Sequence, residues 1–181
     1  MSSFIAILML AVILGAIIFL FWRQNRIFNE LGNFYKENNL IFQPASPVEH
    51  PFMYPDVKLV CSAGMLRPNI PYTLILGTRL VTDGQGTSSY RYIGVYLPPQ
   101  AQVNDEWLSA WQQKVAERSD QWAQYSGVTA AEKNWGVMGA PEHLPVRAVR
   151  VNSGVFIGWS GIHTRKTIEA RLNELKTSLP N

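Results

Sequence analysis

The run YTLILGTRLVTDGQGTSSYRYIGVYL spans residues 72–97. Two stretches rich in β-branched and aromatic residues, 72–81 and 90–97, flank the glycine-containing TDGQGTSS. Nothing between them is long enough to be the crossover helix that parallel neighbours need, so the run predicts an antiparallel hairpin. Pro98-Pro99 then ends the sheet. Alternation places Tyr90, Tyr92 and Tyr96 on one face and Arg91, Ile93 and Val95 on the other. A tyrosine stripe can stack nucleic-acid bases. Without surrounding positive charge, the expectation here is a sheet face covered by a helix.

Outward from this hairpin the pattern repeats. VKLVCSA (57–63) reads as a strand and LIF (40–42) as a short one, joined by the proline-rich connector PASPVEHPFMYP (44–55). Downstream, NDEWLSAWQQKVAERSDQWAQY (104–125) has helical spacing at Leu108, Trp111, Val115 and Trp122, with Trp107 widening the apolar face. Asn104 is positioned to cap it, and Asp105 and Glu106 sit where they complement the helix dipole. Residues 126–145 are irregular, with one helical turn at TAAEKNW. VRAVRV (146–151) and VFIGW (155–159) make a second hairpin around Asn152-Ser153-Gly154. A last helix, about 164–179, carries Ile168, Leu172, Leu175 and Leu179 on one stripe. Hairpins without a βαβ rhythm predict an α+β class: a mostly antiparallel sheet of about five strands with two amphipathic helices on one face.

Ahead of this domain lies FIAILMLAVILGAIIFLFW, Phe4 to Trp22, 19 residues without a charge. As a helix it is roughly 28 Å long, about the hydrocarbon thickness of a bilayer. It lacks the basic flank, shorter apolar core and small-residue cleavage site of a signal peptide, so the expectation is a retained single-pass transmembrane helix. Trp22 suits the interface, and Arg23 and Arg26 follow the span while no basic side chain precedes it. The positive-inside rule then puts the C-terminal domain in the cytoplasm, at the inner membrane if the source is bacterial. Ala11 and Gly15 form a small-x-x-x-small pair that permits close helix approach, a route to homo-oligomers through the span. RIFNELGNFYKENN (26–39) continues the helical spacing as a stalk, weakened by Gly32 and ended by Asn38-Asn39. The organisation expected is a membrane anchor with its basic flank at 1–26, a helical stalk at 27–39 and a soluble α+β domain at 40–181.

Charge and chemistry narrow the function by exclusion. The net charge is +3, but residues 27–181 hold 14 basic and 13 acidic side chains. That is not the footprint of a nucleic-acid binder. The single cysteine, Cys61, excludes an intramolecular disulfide. His50, His143 and His163 are scattered, with no metal-binding spacing and no nucleotide-binding glycine loop nearby, so no cofactor or metal is expected. GWSGIHTRK (158–166) approaches the G-x-S-x-G nucleophile elbow, but its closing glycine comes one residue early, at Gly161. No acid–histidine pair follows Ser160 in the required order. The segment reads instead as a strand-to-helix turn in which Gly158 and Gly161 allow a tight bend and Ser160 or Thr164 caps the helix. Thr164, Arg165 and Lys166 at that helix start are candidates for contact with an anion or an acidic partner surface, unless Glu169 neutralises Arg165 from four residues on.

These features point to a membrane-anchored, non-enzymatic interaction or accessory domain, with membrane lipid and a protein as its partners. The alternatives are a toxin-neutralising, immunity-type membrane protein, or a membrane-bound enzyme built from dispersed residues. Arg79, Arg91, Arg147 and Arg150 on strands, with Asp56, Asp83 and His143 in loops, would be that enzyme's raw material.

Overall fold

A computed structural model describes residues 2–45, 58–83, 86–126 and 146–180. Among these residues the class is α+β: three α-helices and one antiparallel sheet of six strands, one more than expected. Helix α1 (Ser2–Glu37) leads into β1 (Gln43–Ala45), β2 (Lys58–Arg67), β3 (Ile70–Asp83) and β4 (Gly86–Leu97). Then come α2 (Asp105–Ser126), β5 (Arg147–Val151), β6 (Gly154–Ser160) and α3 (Arg165–Ser178). The spatial order is β1-β2-β3-β4-β6-β5. The turn TAAEKNW, Asp56, His50, His143 and most of the proline-rich connector lie outside the described residues.

The hairpin of residues 72–97 is present and longer than its apolar runs. Its ladder extends from Thr73–Tyr96 to Asp83–Gly86. The second hairpin closes on Asn152 and Ser153, both at positive φ (48° and 64°), the two-residue turn that matches strand twist. The short strand is Gln43–Ala45 rather than residues 40–42. Leu40 instead belongs to the end of α1. There Asn39 takes a left-handed conformation (φ 53°), and its N–H donates to the Lys36 carbonyl at 3.2 Å. The Leu40 N–H donates to the Tyr35 carbonyl at 2.8 Å. This pair of bonds is a Schellman cap, with asparagine in the place glycine usually takes.

Strand alternation sorts the core into two clusters. Leu74 and Leu76 of β3, Ile93, Val95 and Leu97 of β4, and Val155, Ile157 and Trp159 of β6 point to the helices. They meet Trp107, Leu108 and Trp111 of α2, and Ile168 and Leu175 of α3. Trp111 and Trp159 pack edge to face, ring centroids 5.7 Å apart, and Trp107 donates its indole N–H to the Ser178 carbonyl at 2.8 Å. The tryptophans of α2 thus serve the core at positions 107 and 111.

The opposite face holds Leu59, Ile75, Tyr92, Val146 and Phe156. Tyr92 is completely buried there, so the tyrosine face is not the one the helices cover. Gly94 is what lets the Phe156 ring approach that face closely, since a Cβ on it would stand 2.5 Å from the ring.

The helix-bearing face takes a third occupant that the strand and helix count alone omits. Helix α1 does not break at the end of its apolar run. Its last turns insert Leu31 and Phe34 into the same core, with Leu40 just behind them.

Candidate functional site

The stalk is a docked element. Leu31 and Phe34, three residues apart, share one side of α1, and Phe34 is only 2% exposed. Tyr35 packs against Phe42 with ring centroids 4.5 Å apart and planes tilted by 55°, and burial raises its phenol pKa to about 12. The phenol therefore stays protonated at ordinary pH. Gly32 remains helical, because tertiary burial on either side outweighs its propensity cost of about 1 kcal/mol.

Arg165 closes this seam. Its guanidinium meets Glu37 of α1 at 2.8 Å and Glu169 of α3 at 2.8 Å, and it lies over the Phe34 ring at 5.9 Å. The hydrogen bonds it donates to Glu37 and then to Glu169 raise its pKa further. A basic residue at a helix N-terminus opposes the dipole, and two carboxylates answer that here. Thr164 caps α3, its hydroxyl accepting from the Thr167 N–H at 3.1 Å. Lys166 is exposed. Of the three residues singled out at this helix start, one is a cap, one bridges two elements of this chain and one faces solvent.

The serine segment folds differently from an elbow. Gly158 sits in regular ladder between Gly94 and Arg147, so it does not bend the strand. Ser160 is the last strand residue, paired with Tyr92, and the chain turns only at Gly161, whose N–H donates to the Arg91 carbonyl at 3.0 Å. His163 directs Nε2 at the Tyr92 carbonyl, 2.9 Å away. A carbonyl only accepts, so that nitrogen carries the proton. Burial holds the His163 pKa below its ordinary value; the Tyr92 carbonyl opposes the shift, and the nearby positive charge of Arg91 reinforces it.

The four strand arginines do not converge. Register puts Arg91 and Arg150 on the helix-bearing face, at different places, and Arg79 and Arg147 on the other. Arg150 is engaged with Asp105 at the start of α2.

What does gather side chains is a groove of about 410 Å³ between α1 and the sheet. Phe28, Leu31 and Tyr35 form its helical wall, and Val60 and Leu76 its apolar floor. Lys58, Thr78 and Arg91 form one rung across β2, β3 and β4 at its mouth, with His163 beside them. Among the described residues neither Lys58 nor Arg91 has an ion-pair partner. The groove lies at the end of the sheet nearest the apolar half of α1. Helix α1 runs alongside β2 in the same sense, from Phe28 near Lys58 to Phe34 and Asn38 near Met65 and Leu66. The sequence carries no signal for this groove, because its two cations are single residues on two separate strands.

A second element was also not visible as a motif. Arg67, at the β2–β3 turn, donates to the carbonyls of Lys176 at 2.7 Å and of Leu179 and Pro180, both at 3.0 Å. It places a cation at the negative end of α3.

Of the anchor residues, Ala11, Gly15, Trp22, Arg23 and Arg26 all lie on the continuous helix, as does Phe4. Arg26 pairs with Glu30 at 2.8 Å and lies 5.9 Å from the Trp22 ring. The large apolar side chains from Ile5 to Trp22 are half or more exposed, on a helix long and apolar enough to cross a bilayer. No protein-family model matches the chain, and neither does any curated protein or solved structure.

Proposed function

We propose that this chain is a single-pass membrane protein whose α+β domain is held against the cytoplasmic face of a membrane, the inner one in a bacterium. There it acts as a non-enzymatic accessory or interaction domain. The observation that carries this reading is the continuity of α1. One helix has an apolar half on which none of the described residues packs and a second half built into the domain core. Exposed Ile, Leu and Phe side chains around the whole circumference of a helix need a hydrocarbon solvent, and no part of the described domain supplies one. Arg23 and Arg26, on the domain side of the span, support the cytoplasmic orientation. The dispersal of the strand arginines over two faces favours binding over catalysis.

Two experiments test it. Reporter fusions after residue 181 and protease protection should place the domain on the cytoplasmic side; an external domain overturns the topology. Affinity purification of the full chain from detergent-solubilised membranes should recover a stoichiometric protein partner. Recovery of the chain alone, with turnover of a small molecule, would favour the enzyme reading instead.

A further inference from the structure

The groove between α1 and the sheet has a polarity that matches one class of ligand. Its wall and floor are hydrocarbon: Phe28, Leu31, Val60 and Leu76. Its mouth carries two cations, Lys58 and Arg91, without carboxylate partners among the described residues. An apolar cleft capped by uncompensated positive charge fits an amphiphile with an anionic head. Phe28 lies six residues beyond Trp22, about 9 Å along the helix axis, so the groove opens within reach of the headgroup layer if Trp22 marks the interface. Phe21 and Ile17, two and three turns before Phe28, lie on nearly the same side of α1 and are exposed, with the polar Gln24 and Asn25 between them and Phe28.

The same end of the domain exposes further apolar surface. Phe28 (60%), Leu80 (55%) and Ile162 (53%) are all open. The β3–β4 ladder continues five rungs past Thr78–Arg91, about 17 Å, back in the direction of the apolar half of α1. Exposed apolar side chains beside unpaired cations are what a protein surface needs to rest on an anionic bilayer.

We infer that this groove binds an anionic phospholipid of the host membrane, with its phosphate at Lys58 and Arg91 and an acyl chain along Phe28, Val60 and Leu76. The inference rests on the membrane-tether reading and adds a specific lipid site to it. Bound lipid would fix the height of the domain above the bilayer as well as its attachment.

The test uses the full chain in nanodiscs of phosphatidylcholine mixed with phosphatidylglycerol, with native mass spectrometry of the lipid that stays bound. The wild type should retain phosphatidylglycerol over phosphatidylcholine. Each charge removed should reduce that preference about fivefold, the factor for roughly 1 kcal/mol per basic residue at an anionic surface. Lys58→Gln with Arg91→Gln should therefore nearly abolish it. Both side chains are exposed, so the fold survives, as an unchanged melting midpoint in pure phosphatidylcholine would show. Val60→Trp should abolish retention without changing charge, by filling the groove. Arg26→Gln, which removes a charge that Glu30 already answers, should leave it intact. No phosphatidylglycerol preference in the wild type overturns the inference. So does a preference that survives the Lys58/Arg91 double variant, or one that survives Val60→Trp in a folded protein. Inorganic phosphate binding to the detergent-solubilised chain with the same variant dependence would identify a free-anion site and overturn the lipid. If alkaline carbonate releases the wild-type chain from membranes, the tether reading itself fails; a chain that stays integrated but shows no lipid preference sinks only the groove.

Discussion

Residues 5–22 and residues 27–37 belong to the same helix and face different surroundings. In the first segment Leu10, Ile13 and Leu20 are more than half exposed. In the second, Leu31 and Phe34 are buried while Asn33, Lys36 and Glu37 face out. The backbone is helical through both. What differs is where the apolar side chains find a nonaqueous environment: all around the axis in one segment, on one side in the other. An amphipathic stripe needs cover on one side, whereas a uniformly apolar cylinder needs a nonaqueous surround on every side.

The comparison breaks most visibly at Phe34. Phe34→Ala should destabilise the domain by about 3–5 kcal/mol, because the ring is buried among α3 and sheet residues. Denaturant unfolding of the full chain in micelles measures this, and a near-wild-type midpoint would mean that the second segment is only a spacer. In the first segment Ile13→Lys should leave domain unfolding unchanged. Its cost, about 2.5–3.5 kcal/mol, should fall on membrane insertion, read in a translocon insertion assay. A domain that loses stability instead would show that the two segments are not independent.

Acid sharpens the docked half. His163 has a lowered pKa in the fold, so below about pH 6.5 the unfolded chain binds a proton that the folded one resists. Stability is then full above that pH and declines as pH falls toward the folded-state value. The decline is at most one proton's slope, about 1.4 kcal/mol per pH unit. His163→Asn should flatten this limb of the stability–pH curve while leaving the carboxylate limb at lower pH. An unchanged curve would mean another group carries it. The smallest effect belongs to Arg165. Its partners are solvent-accessible, so Arg165→Gln should lower stability slightly and Glu37→Gln should do the same. In a double-mutant cycle the two losses should be less than additive; full additivity would remove the bridge from the account of the seam.

Much of this molecule was readable in residue order, and the exceptions share a cause. Period-two alternation and the glycine turn exposed the 72–97 hairpin, and helical spacing exposed α2 and α3. Where a local signal conflicted with packing, packing won. Pro68-Asn69 and Pro71 interrupt the apolar pattern, yet β2 and β3 pair through Arg67–Ile70, and a register shift between Met65 and Arg67 absorbs the irregularity. Leu40 reads as the start of a strand and is instead the hydrophobic residue of a helix cap. The side of the sheet that the helices choose depends on connections between distant elements. That is why the tyrosine face, obvious as a stripe, is not the face the helices cover. The seam was half legible: Glu169 is four residues from Arg165 and could be foreseen, but Glu37 is 128 residues away and could not. The groove is wholly a product of register, which no single strand encodes.

The capped, unbroken course of α1 has a mechanical consequence. Because no hinge separates its two halves, any turn of the upper half about its own axis is delivered undiminished to the domain, as through an axle. Each residue inserted between Trp22 and Phe28 would swing the domain by about 100° around that axle and lift it by about 1.5 Å. Attachment would be preserved while the compass bearing of every surface changed. An insertion series through that segment would therefore separate functions that need only proximity to the bilayer from those that depend on which way the domain faces.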